Sequence, residues 1–141
     1  MDQSLLDTDI LSEILKAKNP IVVARSKQYQ SAYTRLTISV ITVMEIVKGF
    51  HQAGRVAALE KFLAGLGSTN LLVFDRSCAE TAGKIYADLE RTGQPIGRAD
   101  PMIAAIAIQH NLTLVSGNTD HYQRIQNLGY SLKIENWRQA G

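Results

Sequence analysis

Ser4-Leu5-Leu6-Asp7-Thr8-Asp9-Ile10-Leu11-Ser12-Glu13-Ile14-Leu15-Lys16 changes character in its middle. Ser4–Leu6 reads as a short buried strand, and Ile10–Lys16 takes up a helical pattern. Two acids, Asp7 and Asp9, stand at the changeover. Strand followed closely by helix is the opening of a β-α unit, and the rest of the chain repeats that alternation.

Asn19-Pro20 is a good helix opening, because Asn caps and Pro suits the first turn; the helix is predicted to run to about Tyr33. Leu36–Val40 reads as a strand and Thr42–Phe50 as a helix. Val56, Leu59, Leu63 and Leu66 follow one helical face, with Gly67 as a stop. Leu71–Phe74 is the next strand. Ala82, Ile85, Tyr86 and Leu89 mark a helix ended by Gly93, and Asp100-Pro101 opens a helix apolar nearly all round, hence buried. Leu112–Ser116 is a strand, and Ser131–Ile134 a last candidate. The alternation predicts an α/β domain, its sheet largely parallel and covered on both faces. In such sheets ligands bind at the carboxyl ends of the strands.

The bulk numbers agree with a single domain over 1–141. Hydrophobic residues make up 45% and charged residues 20%, an ordinary globular balance, so disorder is not the expectation. The longest apolar run, Met102–Ile108, is too short to cross a bilayer, and the start lacks the basic-then-apolar pattern of a secretory signal. Cys78 is the sole cysteine, so no internal disulfide forms, and a cytoplasmic location is the default expectation. The net charge of +2 is weak evidence for a nucleic-acid partner.

The polar residues after the apolar runs are mostly acidic. Asp7 follows the first strand, Glu45 lies one helical turn beyond the second, Asp100 opens the buried helix, and Asn118 and Asp120 follow the late strand. A parallel sheet would bring these segments to one rim. Each acid also has a structural reading. Thr42 and Glu45 match a capping box with Ile41 and Ile46 as its staple, Asp100 is a fit N-cap before Pro101, and Asp9 could cap the first helix. Taken together the acids point elsewhere. Crowded carboxylates repel unless a cation compensates, and an all-oxygen set suits Mg²⁺ or Mn²⁺, ions that serve phosphodiester hydrolysis.

Four segments in order resemble the PIN-domain family, its VapC-type toxins in particular. They are Leu5-Leu6-Asp7-Thr8-Asp9-Ile10-Leu11; Ile38-Ser39-Val40-Ile41-Thr42-Val43-Met44-Glu45-Ile46-Val47-Lys48-Gly49; Ile96-Gly97-Arg98-Ala99-Asp100 with Ile103-Ala104-Ala105; and Leu114-Val115-Ser116-Gly117-Asn118-Thr119, before a closing Ile134-Glu135-Asn136-Trp137. The resemblance implies a three-layer α/β/α fold and Mg²⁺- or Mn²⁺-dependent cleavage of RNA. Metal-activated water would leave a 5′-phosphate and a 3′-hydroxyl. It makes Asp7, Glu45 and Asp100 the acidic metal-site residues, and it implies a homodimer and a small VapB-like antitoxin that occludes the site from an apolar groove. Many relatives carry a fourth acid where this chain has neutral Asn118; Asp120 substitutes for it or is a solvated acid.

Ser39 and Thr42 are candidates for hydrogen bonding within the site, Thr42 equally for capping alone. Arg98 contacts a phosphate or pairs with an acid. His51 and His110 read as surface or helix-end residues, His121 as a loop residue, and Tyr130 and Trp137 as packing residues. Two other functions are compatible with the residues. Leu5-Leu6-Asp7-Thr8-Asp9 imitates the opening of a haloacid-dehalogenase-type phosphatase, with Asp7 as nucleophile and Asp9 as acid/base, although Leu11 departs from that pattern. The neutral Asn118 would suit a non-catalytic PIN-like binding module.

Overall fold

The computed structural model describes residues 1–139. β1 (Ser4–Leu6) runs straight into α1 (Thr8–Lys16). This helix starts earlier than the apolar pattern predicts because Asp7, not Asp9, caps it: Thr8 N donates to Asp7 Oδ1 at 2.8 Å. α2 (Pro20–Tyr33) opens as expected, with Ile21 N and Val22 N donating to Asn19 Oδ1.

β2 (Thr37–Ser39) turns directly into α3 (Val40–Gln52). Ser39 is the cap, receiving Thr42 N at 3.2 Å, so the expected box from Thr42 to Glu45 does not form. Nor does the staple, because Ile41 packs against one core cluster and Ile46 within the other. α4 (Val56–Gly65) passes into a 3-10 turn, Leu66–Ser68, that contains Gly67 rather than stopping at it. β3 (Asn70–Leu72) and α5 (Arg76–Arg91) follow, the latter capped by Asp75 and ended just before Gly93, whose φ is +66°. α6 (Asp100–Gln109) is capped by Ala99, so Asp100 is its first residue and not its cap. The chain closes through β4 (Thr113–Val115), α7 (Thr119–Asn127) and β5 (Lys133–Glu135). α7 has no counterpart in the sequence reading.

Every strand pairing is parallel: β1-β4-β5 form one ladder and β2-β3 another, with β2 beside β1. The expected strands are present but each ladder spans three residues, with β3 displaced towards the N-terminus and β5 away from it. Alternation along the strands sorts the core into two. Leu5 pairs with Leu114, and both join the cluster built on α5, α6 and α7. Leu6 pairs with Val115, and both face the cluster built on α1, α2, α3 and α4. That is the expected three-layer α/β/α arrangement. In α6, Ile103, Ala104, Ala105, Ile106 and Ala107 are all fully buried, as a helix apolar all round should be. Among the described residues no helix is long and apolar enough to cross a membrane.

Past β5, Trp137 is fully buried, its ring centroid 5.8 Å from that of Tyr29 on α2. It ties the C-terminal arm to the α1–α2 layer. Trp137→Ala should lower the unfolding free energy by about 3–5 kcal/mol in a urea titration, because a large cavity opens in a packed layer. A loss below about 1 kcal/mol would show that the arm is not an anchor.

Candidate active site

The parallel register places the acids. Beyond the last ladder pair, Asp7 N donates to Val115 O and Ser116 N to Glu135 O, so Asp7 and Ser116 emerge side by side at the carboxyl end of the sheet. Asp7 is 3% exposed. Its Oδ1 receives Thr8 N at 2.8 Å, and its Oδ2 receives Ser116 Oγ at 2.8 Å and Tyr122 OH at 3.1 Å. These donors favour the charged form, but burial outweighs them, and the negative charge of Asp9 and then of Asp100 adds to it. The Asp7 carboxyl is pushed up to about 7.

Asp100 enters from the start of α6. Without a capping duty its side chain faces α7: the same Tyr122 hydroxyl, whose one proton the two carboxylates share, lies 3.2 Å from Oδ1, and His121 Nδ1 lies 3.1 Å from Oδ2. Burial, then the nearby charges of Asp7 and Asp100, push the Tyr122 phenol well above its ordinary value, so it remains an O–H donor. Glu45, half-buried on α3, accepts from Thr8 Oγ1 at 2.5 Å. That bond uses the Thr8 proton, so the contact at 3.0 Å between Thr8 Oγ1 and Thr42 Oγ1 has Thr42 as donor. Asp9 lines the same cleft as these acids, with its Oδ2 engaged: Gly117 N donates to that oxygen at 2.9 Å, and Arg138 Nη2 lies 3.3 Å from it. Burial holds its carboxyl above the usual range, against the pull of Gly117 and Arg138.

Asp7, Glu45, Asp100 and Asn118 line one cleft of about 470 Å³, together with Lys16 and Arg55. Among the described residues, no three His, Cys, Asp or Glu side chains lie close enough to encircle an ion as placed. The donor chemistry still fits a hard cation. Asp7 and Asp100 share one hydroxyl donor, which sets two carboxylates within a single group's span, and a bound cation would offset the burial that chiefly raises Asp7 and its repulsion by Asp9 and Asp100. Glu45 shares the cleft but is tethered to Thr8.

The PIN domain model matches residues 4–127. The chain belongs to the PIN-domain family. The tRNA(fMet)-specific endonuclease VapC of Shigella flexneri is 31% identical over 137 residues, covering 94% of this chain and 96% of that one. DNA-bound VapBC from Salmonella typhimurium superposes with a TM-score of 0.76 at 32% identity, covering 97% of this chain and 99% of the other. VapBC2 from Rickettsia felis, bound to a DNA fragment from its promoter, gives a TM-score of 0.79 at 26% identity, with 95% and 98% covered.

In this PIN domain the other expected site residues are dispersed. Ser39 caps α3, and Thr42 is buried and linked to Thr8. Asn118 is exposed at the cleft edge, where its backbone N donates to Ser116 Oγ at 2.9 Å. Asp120 is exposed and outside the cleft lining, because the turn of α7 that brings His121 and Tyr122 to Asp100 points Asp120 elsewhere. Arg98 is exposed and also outside it; its carbonyl accepts from Tyr86 OH. His51 and His110 are exposed at helix ends, as expected, whereas His121 lies on a helix rather than a loop. Tyr122 went unsuspected. Tyr122, Ile125 and Leu128 at three-residue spacing were the signal that could have revealed it.

The raised Asp7 makes a signed prediction. Between its ordinary value of 3.8 and about 7 the folded chain binds a proton that the unfolded chain has released. Stability of the metal-free protein should therefore fall as pH rises through that window and level off above it. Asp7→Asn keeps the cap and removes the charge. Its melting temperature should exceed that of wild type at about pH 8 and lose the dependence. Parallel melting curves across the window would show that Asp7 does not titrate there.

Proposed function

We propose that this chain, folded as one PIN-like domain, is a VapC-type endoribonuclease that hydrolyses RNA phosphodiester bonds with Mg²⁺ or Mn²⁺, acting in the cytoplasm as the toxin of a type II toxin–antitoxin pair. The observation that carries this reading is the meeting of Asp7, Glu45 and Asp100 in one cleft, from three segments far apart in sequence. Asp7 and Asp100 would hold the ion, with Glu45 as the third acid. When bound, Mg²⁺ or Mn²⁺ acidifies water and offsets charge on the phosphodiester. The protein's part is placement. Lys16 and Arg55 line the same cleft and draw in the phosphates of an approaching strand, which carboxylates alone would repel. Thr8 orients Glu45, and Ser116 and Tyr122 orient Asp7.

A second hollow of about 850 Å³ adjoins the cleft and shares Lys16, Phe50 and Arg55 with it. Leu11, Ile14 and Phe62 make it apolar, and Lys18 and Lys61 join its wall. It suits a VapB-like antitoxin segment carrying apolar and acidic side chains, and an occupant there would crowd the cleft. The solved relatives named VapBC support that assignment. Exposed Leu71 and Val73, on and just past β3, offer apolar surface for a homodimer. The phosphatase reading loses its acid/base, because Asp9 is committed to Gly117 and Arg138.

Purified protein should cleave RNA with Mg²⁺ or Mn²⁺ and stop when EDTA is added. Transfer RNA is the first substrate to try, given the named target of the Shigella flexneri relative. Because Asp100 is not a cap, Asp100→Asn should melt like wild type. Disturbing a residue behind a metal ligand costs about 10–100-fold, so loss of a ligand should cut cleavage by more than about 100-fold. A folded Asp100→Asn chain that cleaves normally would sink the assignment, and EDTA-resistant cleavage would sink the metal.

A further inference from the structure

We propose that Tyr122 is a positioning residue that yokes Asp7 and Asp100 into one cation-binding unit, its hydroxyl lying 3.1 Å from Asp7 Oδ2 and 3.2 Å from Asp100 Oδ1. The inference rests on the metal-nuclease reading of the cleft.

The two acids need such a device because they arrive independently. Asp7 is held by its strand end and by its capping bond to Thr8. Asp100 has no capping bond, and Ala99, the cap residue before it, makes none from its side chain. The contacts on the Asp100 carboxylate come from the first turn of α7, Tyr122 OH on one oxygen and His121 Nδ1 beside the other. That turn is tied back to Asp7 by a second route. Asn118 N donates to Ser116 Oγ, and Ser116 Oγ donates to Asp7 Oδ2. Asp7, Ser116, the opening of α7 and Tyr122 form a closed ring of contacts, and Asp100 hangs from it.

Packing alone does not call for the hydroxyl. Tyr122 is fully buried among apolar residues of α5 and α6, a place where phenylalanine would fill the same volume. A buried hydroxyl is costly unless it is bonded, and among the described residues its partners are the two carboxylates. The phenol sets their separation and offers a proton between charges that would otherwise push apart.

Tyr122→Phe tests this without RNA. Full-length wild type and variant are titrated with Mn²⁺ at about pH 8, where carboxylates are charged, and free Mn²⁺ is read by electron paramagnetic resonance. Melting curves are recorded in parallel without metal. The variant should bind Mn²⁺ about tenfold more weakly or worse, the effect typical of removing a partner behind a ligand, and melt close to wild type. Equal Mn²⁺ affinity would overturn the inference while leaving the metal site intact. A metal-free melting point more than about 10 °C below wild type would also overturn it, since the hydroxyl would then be a folding contact. Failure of wild type to bind Mn²⁺, or binding unchanged by Asp7→Asn, would instead overturn the reading on which it rests.

Discussion

One carboxylate, Asp7, ends a strand, caps a helix and anchors the loop after β4. The arrangement depends on the parallel pairing of β1 with β4, which continues one bond past the strand to bring Asp7 beside Ser116. Burying an acid in this position is costly, and its hydrogen bonds return only part of that cost. Thr8 and Ser116 donate to it, yet burial still raises its pKa to about 7. A purely structural cap would be better placed at the surface, where solvation is free. The fold instead buries an acid whose charged form a cation would stabilise.

Arg138, next to the buried Trp137, offsets part of the neighbouring charge. Asp9 adds negative charge close to Asp7, and Arg138 answers it, bonding Glu13 Oε1 at 2.7 Å and approaching Asp9 at 3.3 Å. Arg138 can lie there because position 117 carries no side chain: a Cβ would sit 1.9 Å from Arg138 Nη1. Burial of Trp137 delivers the arginine to that spot. The C-terminal arm is thus coupled to the electrostatics of the first strand's acids, through contacts between residues more than a hundred positions apart.

The layered fold was legible because its signals are local. Asn19-Pro20, the all-apolar α6 and the short strand runs declare themselves within a few residues, and the acids declare themselves as the polar residues that follow. Capping was misread at three positions for a common reason. Asp9, Thr42 and Asp100 all have suitable chemistry, but Asp7, Ser39 and Ala99 are where the backbone turns, and that is set by where each strand's ladder ends. Glu45 and Asp100 are thereby released from capping, as the proposed site requires. α7 was hidden because only Tyr122 and Ile125 are buried in a nine-residue, mostly polar helix. The Tyr122, Ile125 and Leu128 spacing marks its buried face, but the approach of that face to α6, on which its role in the site depends, is tertiary.

The cleft is not uniformly preorganised, and the difference has a physical cause. Asp7 accepts from a donor on each oxygen, Thr8 N and Ser116 Oγ, and Asp100 has Tyr122 OH beside one oxygen and His121 Nδ1 beside the other. Glu45 has one more rotatable bond and is only half-buried; its contact is with the hydroxyl of Thr8, which Thr42 in turn holds. Rigid ligands lose little entropy when they bind an ion, whereas a tethered one must first give up a short hydrogen bond. In the proposed metal site the Asp7–Asp100 pair would therefore be the pre-built part and Glu45 the adjustable part. With Glu45 tethered to Thr8, no three acids among the described residues encircle a point, although Asp7, Glu45 and Asp100 line the same cleft.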